Sequence, residues 1–186
     1  MKIDGNGQAE PLSKQEFTKA LNLFESNHHR LIFALCWYTT DRPSAVLSLS
    51  VKNVYSDPEK RRPRETIVIP RSTRKDRKTR EVPCCRQLAA ELRAYQPPES
   101  GWLFPGQAGG HLTYRAYYNA LARVYAKMGL SGYSPYSTRR GALTHLLRQG
   151  MSTRRIQEIS GHKSLASLQP YLESTAIERR QTVELL

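Results

Sequence analysis

Apolar residues take up helical spacing soon after the start of the chain. Phe17, Ala20, Leu21 and Phe24 share one helical face, Ser13 and Glu16 form a capping box ahead of them, and Leu12 and Phe17 form a hydrophobic staple. This predicts a first helix over 13–27. A nearly continuous apolar run predicts a second over 30–40, and Pro43 suits the first turn of a short third helix ending near Leu49. The pattern then shortens: 51–55, 66–70 and 79–84 are β-rich and punctuated by basic loops, which predicts a small antiparallel sheet of three strands. Helical spacing returns at Leu88, Leu92 and Tyr95, stopped by Pro97 and Pro98, and again over 113–128, closed by Gly129. Four short helical segments, 137–149, 153–160, 164–172 and 176–185, complete the chain, with Gly150 and Ser152 separating the first two.

Helices, then strands, then helices read as a mainly α fold with a small three-stranded antiparallel β-sheet. No repeat, low-complexity tract or long linker divides it. The expectation is a single domain over 1–186, with 1–12 as a flexible lead and 174–186 as a tail helix. The longest strongly apolar stretch, 31–38, is far shorter than the roughly 20 residues of a spanning helix, and the polar first ten residues do not form a signal peptide. Cys36 lies in an apolar run, and Cys84 and Cys85 are adjacent, so the cysteines suggest neither a disulfide framework nor a metal knuckle. A reduced, cytoplasmic protein without a membrane partner is expected.

Charge adds a partner to this picture. The 186 residues carry a net charge of +13, which points to a polyanion. Segment 60–80 holds ten basic and two acidic residues and 136–180 holds eight and three, while the remaining 120 sum to zero. One such run reads simply as a solvated face. Two runs with a neutral remainder favour a surface that holds phosphates, and double-stranded DNA is the expected partner.

Four pieces of sequence carry chemistry. Arg42 stands at the entry to a short amphipathic helix ending in Leu47-Ser48-Leu49; Lys75 and Lys78 lie in a basic turn between two predicted strands; Tyr136 and Arg139 open a later helix; and Gly161-His162 is followed nine residues after the histidine by Tyr171. Together these suit attack on a phosphodiester. Forked guanidinium groups of Arg42 and Arg139 bind non-bridging oxygens with paired hydrogen bonds. A tyrosine hydroxyl can store the bond energy as a phosphotyrosyl linkage, and a lysine on a hairpin can protonate the departing sugar oxygen. No Asp/Glu cluster or His/Cys spacing suits Mg²⁺ or Zn²⁺, so neither a metal nor a cofactor is expected.

In order and spacing these pieces resemble the tyrosine recombinase (phage integrase) family, over 31–171. The resemblance implies catalytic roles for Arg42, for Lys75 with Lys78 as the alternative, for Arg139 and His162, and for Tyr171 as nucleophile. It implies the family's catalytic-domain fold, a site-specific recombinase or integrase working through a 3′-phosphotyrosyl intermediate, and a homotetramer on DNA associated with the nucleoid, with the tail after Tyr171 exchanged between protomers. Three positions depart from the family's pattern. Tyr136 stands where His or Lys is usual, Ala45 where an acid commonly holds the first arginine, and Pro170 immediately precedes Tyr171. The family's amino-terminal core-binding domain is expected to be absent, since only about 30 residues precede the first motif region.

Arg71, Arg74, Arg77, Arg80, Arg140, Arg154, Arg155 and Lys163 read as DNA-backbone contacts rather than reacting groups. Tyr114, Tyr117, Tyr118 and Tyr125 recur at helical spacing and read as core or groove wall, whereas Tyr171 is set apart by its distance from His162. Two other readings remain: a DNA-binding regulator that keeps the fold with impaired catalysis, and a basic RNA-binding protein.

Overall fold

The computed structural model describes residues 9–73, 78–107, 109–171, 180 and 182–184. Its first helix, α1 (Lys14–Leu21), is opened by the expected capping box, with Ser13 N donating to Glu16 Oε2 at 2.7 Å and Glu16 N to Ser13 Oγ at 3.1 Å. It ends at Leu21 rather than 27 because Arg30 takes over its exposed end. The Arg30 guanidinium donates to Leu21 O and Asn22 Oδ1, and reaches Glu91 with two bonds of 2.8 Å. Helix α2 (Asn27–Tyr38) is buried on every side from Leu31 to Trp37 and runs through the middle of the molecule. Phe17 stacks on Phe33 and Trp37 at ring-centroid distances of 5.1 and 4.3 Å, fastening α1 to it.

Helix α3 (Pro43–Leu47) follows, then α4 (Val51–Val54), β1 (Tyr55–Asp57), β2 (Arg62–Pro63), β3 (Thr66–Ile69), β4 (Arg80–Pro83) and α5 (Arg86–Ala94). The mainly α fold class holds, but the strands form two two-stranded antiparallel ladders, β1–β2 and β3–β4, in place of one three-stranded sheet. Segment 51–54, expected as the first strand, is a helical turn. Ser50 and Asn53 cap it reciprocally, satisfying its first N–H groups locally. In β3–β4, Ile67 pairs with Val82 and Ile69 with Arg80, so the inward face of β4 holds Arg80 and Val82.

Helices α6 (Tyr114–Lys127), α7 (Pro135–Arg148) and α8 (Thr153–Ser160), then a 3₁₀ turn (Leu165–Tyr171), complete the described chain. The predicted tail helix over 174–186 lies almost wholly outside the described residues. Residues 9–12, expected as part of a flexible lead, instead strap across α7. Glu10 N donates to Gly132 O at 3.2 Å, Leu12 N donates to Ser137 O at 3.1 Å, and the Leu12 side chain is buried. Beyond the main core, Leu143, Ile156 and Leu168 form a second one, against which Leu146, Leu147, Met151 and Tyr171 pack. Among the described residues no helix is long and apolar enough to cross a membrane.

Candidate active site

The site is built around the bend that leaves α2. Thr39 Oγ1 donates to Leu35 O at 2.7 Å and accepts from Asp41 N at 3.3 Å, while Thr40 takes a left-handed backbone with φ 52°. A β-branched residue adopts that conformation only under constraint. The bend presents three acceptors in sequence: the carbonyls of Thr39 and Thr40, and the fully buried carboxylate of Asp41. Arg80 Nη2 donates to Thr39 O at 2.6 Å and to Asp41 Oδ2 at 2.7 Å. Arg139 Nη1 donates to Thr40 O and stands 3.9 Å from Asp41 Oδ1, which also accepts from Arg42 N at 2.9 Å.

Arg139 reaches this bend because Ser134, Pro135 and Ser137 start α7 one turn earlier, as N-cap, first residue and capping-box partner. Its side chain is 2% exposed, and its Nη2 continues to Ser160 O at 3.2 Å and His162 Nε2 at 3.1 Å. A guanidinium only donates, so Nε2 is the acceptor and the imidazole proton is assigned to Nδ1, 2.6 Å from Ser160 Oγ. Ser160 Oγ in turn donates to Gln157 O at 3.3 Å. Gly161, with φ 67°, closes α8 in the left-handed region, where a side chain is disfavoured, and turns the chain so that His162 folds back toward Arg139. Burial pulls the Arg139 pKa down to about 10, against the opposing field of Asp41 and with the help of Arg42 and Arg80. It remains a cation at neutral pH.

Tyr171 ends the 3₁₀ turn, half-buried against the second core. Its ring centroid is 5.3 Å from that of His162 and 5.5 Å from the Arg140 guanidinium. Arg42 is half-buried beside Arg139, and its guanidinium has no partner among the described residues. Arg80 and Arg139 thus share one carboxylate, which also accepts from the Arg42 backbone N–H, and Arg139 Nε is buried without an acceptor among the described residues. Surplus positive charge and a spare donor make an anion site.

The structure therefore brings Arg42, Arg139, His162 and Tyr171 together. Lys75, Arg74 and Arg77 lie outside the described residues. Lys78 is exposed and lines a groove of about 390 Å³ shared with Arg154, Gly161, His162 and Lys163. Tyr136, 47% exposed, stands one helical turn before Arg139. Arg71, Arg155 and Lys163 are exposed, as a backbone contact requires, and Arg154 is exposed with Glu158 at 3.1 Å. Arg140 lies against the Tyr171 ring rather than fully outward. Arg80 is a correction: it is 8% exposed and turned to Asp41, because it shares the inward face of β4 with Val82. Asp41 was missed, although it is the only acid between Glu25 and Asp57 and directly follows an apolar helix.

Residues 10–178 match the model of the phage integrase family. The chain belongs to that family. It is 34% identical over 120 residues to the tyrosine recombinase XerC of Bradyrhizobium diazoefficiens, covering 61% of this chain and 36% of the relative. It is 30% identical over 161 residues to the tyrosine recombinase XerD of Corynebacterium glutamicum, covering 82% and 50%. These matches span about a third to a half of the relatives' lengths. Among solved structures, XerA recombinase superposes with a TM-score of 0.74 at 20% identity, over 96% of this chain and 66% of that one. The post-cleavage complex of XerH site-specific recombinase with palindromic difH substrate gives 0.74 at 20%, over 97% and 54%. The catalytic-domain fold is shared with both.

Proposed function

We propose that the chain is the catalytic part of a site-specific DNA recombinase that cuts and rejoins strands through Tyr171. The observation that carries this reading is the surplus of guanidinium over carboxylate, with a spare buried donor on Arg139, beside a histidine–tyrosine pair. Such a site receives a phosphate and places a nucleophile next to it. Arg42 and Arg139 hold the non-bridging oxygens, and removing one such donor costs about 10²–10³ in rate. The Tyr171 oxygen bonds to phosphorus as its proton passes to water, and the bond from phosphorus to the 5′ oxygen breaks. Lys75 or Lys78 supplies the proton that oxygen takes. A 5′-hydroxyl from a partner strand reverses the step and releases the tyrosine.

The XerH structure holds its difH substrate, and double-stranded DNA is the substrate proposed for this chain. The proposed working form is a homotetramer on paired sites at the nucleoid, made of single catalytic domains whose 174–186 tails dock on neighbours. The exposed basic residues Arg71, Lys78, Arg154, Arg155 and Lys163 are proposed to hold the DNA backbone. Tyr136 donates a neutral hydrogen bond where a cation would do more, which favours a second reading as a DNA-binding regulator of low turnover.

Incubation with a library of nicked duplexes of randomised sequence separates the two. Cleavage predicts adducts that survive denaturation from wild type and none from Tyr171→Phe. Gel shifts without adducts, with adducts appearing in Tyr136→His, support the regulator. An undiminished adduct from Tyr171→Phe removes Tyr171 as the nucleophile.

A further inference from the structure

The acid in this site does more than neutralise one cation. Asp41 is 0% exposed and lies among Arg42, Arg80 and Arg139, and two of those arginines also take the carbonyls of the two preceding residues. Arg80 holds Thr39 O and Arg139 holds Thr40 O, and between these two anchored carbonyls the backbone is left-handed at Thr40. Strain of this kind persists only where surrounding contacts over-determine it. The bend, the carboxylate and both arginines form one unit.

Arg80 gives that unit its reach. It is the first residue of β4, two residues after Lys78, where the basic stretch of sequence that includes both candidate lysines ends. Its guanidinium is tied to the same carboxylate that faces Arg139. The foot of the hairpin and the phosphate-holding arginine therefore have a common anchor. Resting on the cleavage reading above, we propose that Asp41 and Arg80 are positioning residues, a buried pair that sets the hairpin lysine and Arg139 relative to one phosphate. Neither touches the substrate.

A merely stabilising pair behaves differently, since replacing both members of a buried ion pair by apolar residues of similar volume is often neutral or stabilising. The test measures single-turnover adduct formation, DNA affinity and melting temperature for wild type, Asp41→Asn, Arg80→Met and the double variant Asp41→Leu/Arg80→Met. Nicked duplexes selected by the wild type serve as probe. The expected result is a cleavage rate about 100-fold lower in Asp41→Asn, the loss that a misplacement of about 1 Å brings, with DNA affinity unchanged. The double variant recovers part of the melting temperature, since Arg139 still lacks its carboxylate, without recovering the rate.

If Asp41→Asn does not fold, the double variant alone decides the matter. Wild-type cleavage in the double variant, or losses that follow only the folded fraction, overturns the positioning role and leaves the cleavage reading intact. No adduct from the wild type overturns both.

Discussion

Gly141 lies in the middle of α7, two residues after Arg139, and ordinary helix propensity favours replacing it. Alanine in a helix interior is better than glycine by about 1 kcal/mol. The structure predicts the opposite sign. A Cβ built on Gly141 falls 1.9 Å from Leu12 O, 2.7 Å from Leu12 C and 2.8 Å from Leu12 N, all backbone atoms that cannot swing aside. The strap must lift or α7 must shift. Lifting it exposes the Leu12 side chain, now 1% exposed, at about 1.5–3 kcal/mol. It also breaks the bond from Leu12 N to Ser137 O, at about 1 kcal/mol. Shifting α7 instead carries the usual cost of overpacking, about 1–3 kcal/mol. After the propensity gain, Gly141→Ala is destabilised by about 1.5–3 kcal/mol where the strap lifts and by up to about 2 kcal/mol where α7 shifts, which lowers the melting temperature by up to about 12 °C in a chain of this size. Urea denaturation and thermal melting of the two proteins read this directly. A melting temperature equal to or above the wild type's refutes the close packing of the strap on α7.

Other expectations follow from single contacts. Thr40→Gly relieves a left-handed β-branched residue and removes a buried hydroxyl with no partner among the described residues, so it raises stability by about 1 kcal/mol in denaturant titration; a loss indicates that the Thr40 side chain is needed. Iodoacetamide at pH 8, followed by peptide mass mapping, modifies exposed Cys85 first. Cys84 is slower because burial and the neighbouring Cys85 push its pKa up to about 11, and buried Cys36 reacts only on unfolding; early labelling of Cys36 contradicts the core. Burial holds the pKa of His28, His29 and His145 below the ordinary histidine value, with the charges of His28 and Arg123 acting further on His29 and that of Lys14 on His145. A depressed folded pKa contributes stability that is complete above the unfolded value of about 6.5 and is lost as pH falls through the folded one. The melting temperature therefore drops from pH 7.5 to 5.5, and less so in His28→Gln/His29→Gln/His145→Gln; an identical drop in the triple variant assigns it to other groups.

The helices were legible because their caps are written in adjacent residues: Ser13 with Glu16, Ser134 with Pro135, and Gly161 after Ser160. The candidate set was proposed from its order, and Arg42, Arg139, His162 and Tyr171 lie near one another. Failures came where one residue type serves two purposes. Segment 51–55 has strand-like composition, but the reciprocal cap of Ser50 and Asn53 settles it as a helical turn before β1. Arg80 belongs to a basic run and was read with its neighbours as a phosphate contact. Strand alternation nonetheless puts it on the face of Val82, and the acid it meets is 39 residues away. Asp41 was passed over because attention fell on Ala45, where an acid was expected. The carboxylate that holds the arginines is supplied four residues earlier, at a bend whose left-handed residue is a threonine, and nothing local in the sequence announces that conformation.

The central claim is that the Tyr171 oxygen becomes bonded to a 3′ phosphate. The direct measurement is to trap the adduct on nicked duplexes, digest protein and DNA, and locate the nucleotide by mass spectrometry, with the strand labelled separately at each end. The account predicts a nucleotide on the peptide containing Tyr171, attached through its 3′ phosphate, and no such adduct from Arg139→Ala. A nucleotide on any other residue, or one linked through a 5′ phosphate, contradicts it.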